Sequence, residues 1–168
     1  MKKQWSDVEG LPIVVSEDER PLAYLNGLFM NPETGQIIGF LAGYTKVLVP
    51  SDIERWRLDY VQVRGFDSLA PANDILRIRK FGLRRSFLNG KRVRSKSGKG
   101  LGRVRDFCFE TSTNSVLNIE VSKRFLWIEW AKRIFSYREI SEVTERAIIV
   151  TAEPEVMIKN EAQIPLPS

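Results

Sequence analysis

Residues 89–110 read NGKRVRSKSGKGLGRVRDFCFE. Two runs of alternating side chains, 91–95 and 101–110, flank the cluster Lys96-Ser97-Gly98-Lys99-Gly100. A polar, Gly-rich break between alternating runs predicts a β-hairpin. Val93 and Val104 suit an inward-facing cross-strand pair. Arg94 then opposes Arg103 and Arg92 opposes Arg105, with all four arginines on the outer face because strand side chains alternate. Lys99 falls at the loop tip. Like charges directly opposite destabilise a sheet, so the arrangement points to an anionic partner, to an acidic surface elsewhere in the protein, or to a plain solvated face.

The charge extends well beyond the hairpin. Arg77 to Arg105 holds twelve lysines and arginines and no acid, while the rest of this 168-residue chain carries a net −7. A cluster of this kind attracts phosphate or anionic lipid. The aromatics within it are Phe81 and Phe87, both beside basic residues. They fit base stacking and fit equally a linker pinned to a sheet. SGKGLG is rejected as a phosphate-binding P-loop because it leads into a strand rather than a helix.

The chain has no histidine and one cysteine. Zinc sites built on His or several Cys, and Ser-His-Asp or Cys-His nucleophiles, are excluded. Cys108, between Phe107 and Phe109, reads as a small core residue. Carboxylate clusters such as Glu17-Asp18-Glu19 fall in turns and look solvated. No catalytic residue, metal or cofactor is expected. No apolar run reaches the ~20 residues of a membrane helix, and MKKQWSDVEG lacks the apolar stretch of a secretory signal. The expectation is a cytoplasmic protein.

A shift of 79 positions aligns two halves without a gap. Val14 falls on Val93, Thr34 on Thr113, Leu25 on Val104, Leu28 on Phe107, Met30 on Phe109 and Phe40 on Ile119. Val47 falls on Leu126, Val49 on Ile128, Trp56 on Phe135 and Val61 on Ile140. The turns NPETGQ (31–36) and TSTNS (111–115) occupy matching places. The fold predicted is all-β, two small β-barrels in tandem. Their expected limits are residues 10–76 and 89–152, with a basic linker at 77–88 and tails at 1–9 and 153–168. SDIERW (51–56) suits either a helical turn or a strand with a 3₁₀ turn.

The second half resembles the PRC-barrel family, on Asn89-Gly90-Lys91-Arg92-Val93, Gly102-Arg103-Val104-Arg105-Asp106-Phe107, the polar turn before Val116-Leu117, and YREISEVTERAIIV at its end. Glu145 and Arg146 stand where the family often has Gly and Asp, and the first half fits less well. The resemblance implies small β-barrels used as adaptors for protein, RNA–protein or membrane-protein partners, without catalytic residues or a cofactor.

Anion-binding candidates are Arg84, Arg85, Arg92, Arg94, Lys99, Arg103 and Arg105. In RFLWIEW (124–130), matching Leu126 and Ile128 to Val47 and Val49 makes them core, and Phe125 and Trp127 then face outward as interface candidates. Ile13, Val15, Tyr24 and Asn26 match the outward arginines in the first half. That apolar face is expected to be covered by the other barrel or by a subunit. Two functions remain open: an adaptor docking on RNA or ribonucleoprotein, as in ribosome assembly, and a protein- or membrane-associated scaffold using aromatic faces and self-association.

Overall fold

The computed structural model of the chain describes residues 1–16, 20–125 and 128–151. Its elements are β1 (Lys2–Gln4), α1 (Trp5–Val8), β2 (Pro12–Val14), β3 (Ala23–Met30), β4 (Ile37–Ala42), β5 (Lys46–Leu48), β6 (Ile53–Trp56), β7 (Val61–Val63) and β8 (Leu69–Pro71). They continue with α2 (Leu76–Phe81), α3 (Leu83–Ser86), β9 (Arg92–Ser95), β10 (Gly100–Glu110), β11 (Ser115–Phe125), β12 (Ile128–Ser136), β13 (Ile140–Val143) and β14 (Ala147–Val150). The fold is all-β, with alternation of buried and exposed positions along the strands as the sequence predicts.

Two sheets follow one plan. The first runs β6-β7-β2-β3-β4-β5-β8, and the second β12-β11-β10-β9-β14-β13 with β1 also on β10. In each, the opening strand pairs antiparallel with the next and parallel with a late one: Ile13 lies beside Val61, and Val93 beside Ile148. The repeat breaks twice. Pairing with Val61 and Ile148 makes Ile13, not Val14, the counterpart of Val93, a shift of 80 rather than 79. The larger break is at a later hairpin. Phe40 pairs with Leu48 eight residues on, whereas Ile119 pairs with Phe135 sixteen residues on. The β11–β12 hairpin is therefore eight residues longer, and later counterparts lie 87 positions apart, as with Ile53 and Ile140 opening β6 and β13.

That insertion corrects the ungapped matches. Leu48 and not Trp56 corresponds to Phe135, Ile148 and not Ile140 corresponds to Val61, and Ile134 replaces Leu126 as the counterpart of Val47. Ile128, read as core, is 55% exposed. SDIERW resolves into a 3₁₀ turn at Pro50–Asp52 followed by β6. Residues expected as linker form α2 and α3, separated by Gly82 at φ +82°. The N-terminal segment is docked: β1 pairs with the end of β10, and buried Trp5 stacks on Phe107 at 5.2 Å.

The two sheets share one core. Leu28, Phe40 and Leu48 of the first pack in the same cluster as Phe107, Phe109 and Phe135 of the second. Phe109 meets Phe40 at 5.7 Å and Trp56 at 5.8 Å. At the seam the Ile37 N–H donates to the Asn114 carbonyl (2.7 Å), and the Val116 N–H donates to the Gly35 carbonyl (3.0 Å). Ile37 and Val116, like Gly35 and Asn114, are repeat counterparts, so the two bonds are images of one another, as across an isologous interface. Gly35 (φ +73°) and Asn114 (φ +49°) both take the left-handed conformation that Gly and Asn tolerate best.

A second, smaller cluster lies outside the first sheet, where Ile78 of α2 covers Phe29, Ile38 and Val47. Cys108 is the counterpart of Phe29 and lies on the corresponding outer face, half-buried, rather than in the core with Phe107 and Phe109. Burial pushes its thiol pKa up.

Candidate anion-binding groove

The β9–β10 hairpin does not take the expected register. Arg103 pairs with Arg92, Gly102 with Val93 and Gly100 with Arg94, with a bulge at Leu101. Relative to the expected pairing this is a slip of two residues at Arg92 and Val93, and the bulge takes up one more at Arg94. An even slip preserves the face of every side chain, so Arg92, Arg94, Arg103 and Arg105 are all exposed on the outer side. The turn is held by the Ser95 N–H on the Lys99 carbonyl (2.9 Å) and the Gly98 N–H on the Ser95 carbonyl (3.0 Å).

Those four arginines line a concave groove of about 460 Å³, joined by Lys123 and Arg124 from β11. Glycine lets the strands close in. A Cβ on Gly102 would lie 2.3 Å from the Ser122 carbonyl oxygen, and its φ of +128° disfavours any side chain. Two cations are anchored: Arg103 donates to the Gly90 carbonyl (3.0 Å), and Arg105 Nε donates to Ser122 Oγ (3.3 Å). Among the described residues the ion pairs join Met1 to Glu110 and Lys132 to Glu120, and neither involves the groove. Six cations thus line one concave surface, and among the described residues no carboxylate forms an ion pair with any of them. Among the described residues its lining holds no aromatic ring, and the cations suit phosphate contact, which carries no sequence information.

The other basic candidates lie elsewhere. Lys99 sits in the hairpin loop outside the groove lining. Arg85 donates to the Val143 carbonyl (2.8 Å), fixing α3 against β13. Arg84 borders an apolar cleft of about 490 Å³ between α3 and the first sheet, lined by Phe29, Leu41, Tyr44, Leu83 and Phe87. Phe87 thus packs against the first sheet, in ring contact with Phe29 at 5.3 Å; Phe81 packs against the cluster beneath α2.

A further one of the twelve cations is structural. Lys91 is buried, and its Nζ donates to the carbonyls of Arg84 (2.7 Å), Arg85 (2.7 Å) and Thr144 (3.1 Å). It closes carbonyls at the end of α3 that the short helix leaves unpaired. Burial, then the neighbouring Arg85, lowers its pKa to about 8.

The apolar candidates divide. Ile13 is fully buried in the shared core, so it does not belong to an outer face, and Val15 packs partly buried against that core. Tyr24 is 51% exposed and Asn26 is exposed, not covered as expected. The apolar cover that the first sheet does have is α2, over other residues. Trp127 and the side chain of Phe125 lie outside the described residues. Sequence reasoning missed Lys123 and Arg124. Their signal was the continuation of β11 past Val121, which the ungapped alignment hid.

No curated protein is matched by the chain. Residues 82–157 match the model of the PRC-barrel domain family, from α3 through the groove to beyond β14. The match supports the PRC-barrel resemblance of the second half.

Proposed function

We propose that the chain is a non-catalytic adaptor that docks on the phosphate backbone of RNA or of ribonucleoprotein surfaces through the basic groove. A PRC-barrel domain is a small β-barrel binding or adaptor module, which leaves the ligand to be argued from the surface. The observation that carries the reading is the convergence of Arg92, Arg94, Arg103, Arg105, Lys123 and Arg124 on one groove. Like charges opposite one another, as at Arg92 and Arg103, have no stabilising role in a free monomer. A polyanion relieves that repulsion and releases counterions on binding.

The test is binding to a single-stranded RNA and to ribosomal subunits across a salt series. The logarithm of affinity should fall linearly with the logarithm of salt concentration. Changing Arg92, Arg94, Arg103 and Arg105 to Ser should weaken binding strongly at low salt and flatten the slope by about 3, from roughly 0.7 per lost phosphate contact on a single strand. Binding indifferent to salt, or unchanged in the quadruple variant, overturns the reading. Equal binding of an acidic polypeptide would move the partner class to protein.

A scaffold role is the second reading, favoured by Ile128 (55% exposed) and Ile134 (60% exposed) on β12. Under it, Trp127→Ser abolishes self-association or partner pull-down while the arginine changes do little.

A further inference from the structure

The apolar cleft between α3 and the first sheet has walls that backbone bonds hold in place. On one side the Leu88 N–H donates to the Leu28 carbonyl (3.1 Å), and the Leu28 N–H donates to Asn89 Oδ1 (3.1 Å). Those bonds lay the segment after α3 along β3 and set Phe87 beside Phe29. Gly27 makes the room, since a Cβ there would overlap the Phe87 ring. α3 itself is tied to the second half by Lys91 Nζ on the Arg84 and Arg85 carbonyls and by Arg85 on the Val143 carbonyl. On the other side β5 pairs with β8, and the Ala72 N–H donates to the Thr45 carbonyl (3.1 Å). The cleft is therefore built before any ligand arrives, as small-molecule sites usually are.

Its size and chemistry fit such a site. About 490 Å³ lies within the roughly 300–1,000 Å³ of small-molecule pockets. The floor is apolar: Phe29 is buried, and Leu41 and Phe87 are half-buried. Leu83 and Tyr44 stand exposed at its edge. Among the described residues the lining has one charged side chain, the exposed Arg84. An apolar floor with a single cation at its rim complements a ligand with an apolar body and one anionic head. A guanidinium holds a carboxylate through two parallel N–H donors.

We propose that this cleft binds a small organic carboxylate, its hydrocarbon body on Phe29, Leu41 and Phe87 and its carboxylate on Arg84. The cleft shares no lining residue with the basic groove, so the proposal is independent of what the groove binds.

The probe is octanoate, titrated into the full chain and followed by amide chemical shifts. Octanol and octylammonium serve as neutral and cationic probes of the same chain length. Octanoate should saturate a single site and move the amides of Tyr44, Leu83 and Phe87. The other two should bind roughly tenfold weaker or worse, the worth of one hydrogen bond between charged groups. Arg84→Gln should weaken octanoate by about the same tenfold factor and leave octanol as it was. Leu83→Ser, at an exposed position, should weaken both. No saturable binding, equal affinity for the three probes, indifference to Arg84→Gln, or shifts confined to the groove amides overturns the proposal. Movement of the same amides with protein concentration alone also overturns it and gives the cleft to a second copy.

Discussion

The outer faces of the two sheets start from the same strand plan and end differently. Over the first, α2 sets Ile78 onto Phe29, Ile38 and Val47 and builds a second apolar cluster. Over the second, the counterparts Cys108 and Leu117 are half-buried and Ile134 is exposed, while six cations line the groove on the same half. One half has turned its surface into packing. The other has left it to face outward and charged it. The proposed binding surface thus falls within residues 92–124 of the second half.

The largest effect that tests this division is at the seam. Phe109, on the second sheet, is fully buried and touches two rings of the first, Phe40 and Trp56. Phe109→Ala should cost about 3–5 kcal/mol, with both halves unfolding in one transition by urea denaturation. Two separate transitions would break the shared-core account. The next test sharpens the contrast of faces. Val47→Ala, beneath α2, should cost about 2 kcal/mol. Ile134→Ala, at the equivalent place, should cost less than about 1 kcal/mol. Equal losses by thermal denaturation would mean that the second face is covered as thoroughly as the first.

The smallest effect is a pH dependence at the junction of the halves. Lys91 has a folded pKa of about 8, below its ordinary 10.5. Between those values the unfolded chain holds more protons, so the contribution of Lys91 makes stability rise with pH. Tyr137, raised from 10 to about 12 by burial, opposes this above pH 10, because the unfolded chain releases its phenol proton first. Urea midpoints should therefore rise modestly from pH 8 to 10, and Lys91→Met should remove the rise. A rise that survives the substitution assigns it to another group.

Much of this was legible in the sequence, for reasons that particular residues make plain. Alternation around Val93 and Val104 placed four arginines on one face, and the even slip of the true register left that result intact. Turns with Gly35 and Asn114 marked the repeat, since both carry a positive φ. What was not legible is tertiary. An eight-residue extension inside one hairpin leaves no local mark, so matches beyond it moved to wrong partners and Lys123 and Arg124 were overlooked. Nor does a charge run reveal that Lys91 will be buried under three carbonyls and Arg85 held by a fourth. Short-range pattern also cannot show that Trp5, in a polar N-terminal stretch, stacks on a ring 102 positions away.

The paired bonds between Ile37 and Asn114 and between Val116 and Gly35 join backbone to backbone. A junction of that type does not depend on the chemistry of the side chains around it. Two units joined through it can differ in surface character without coming apart in space. The seam is thus the element that permits specialisation: it keeps the inner sides joined while the outer sides diverge, one toward oil and the other toward charge.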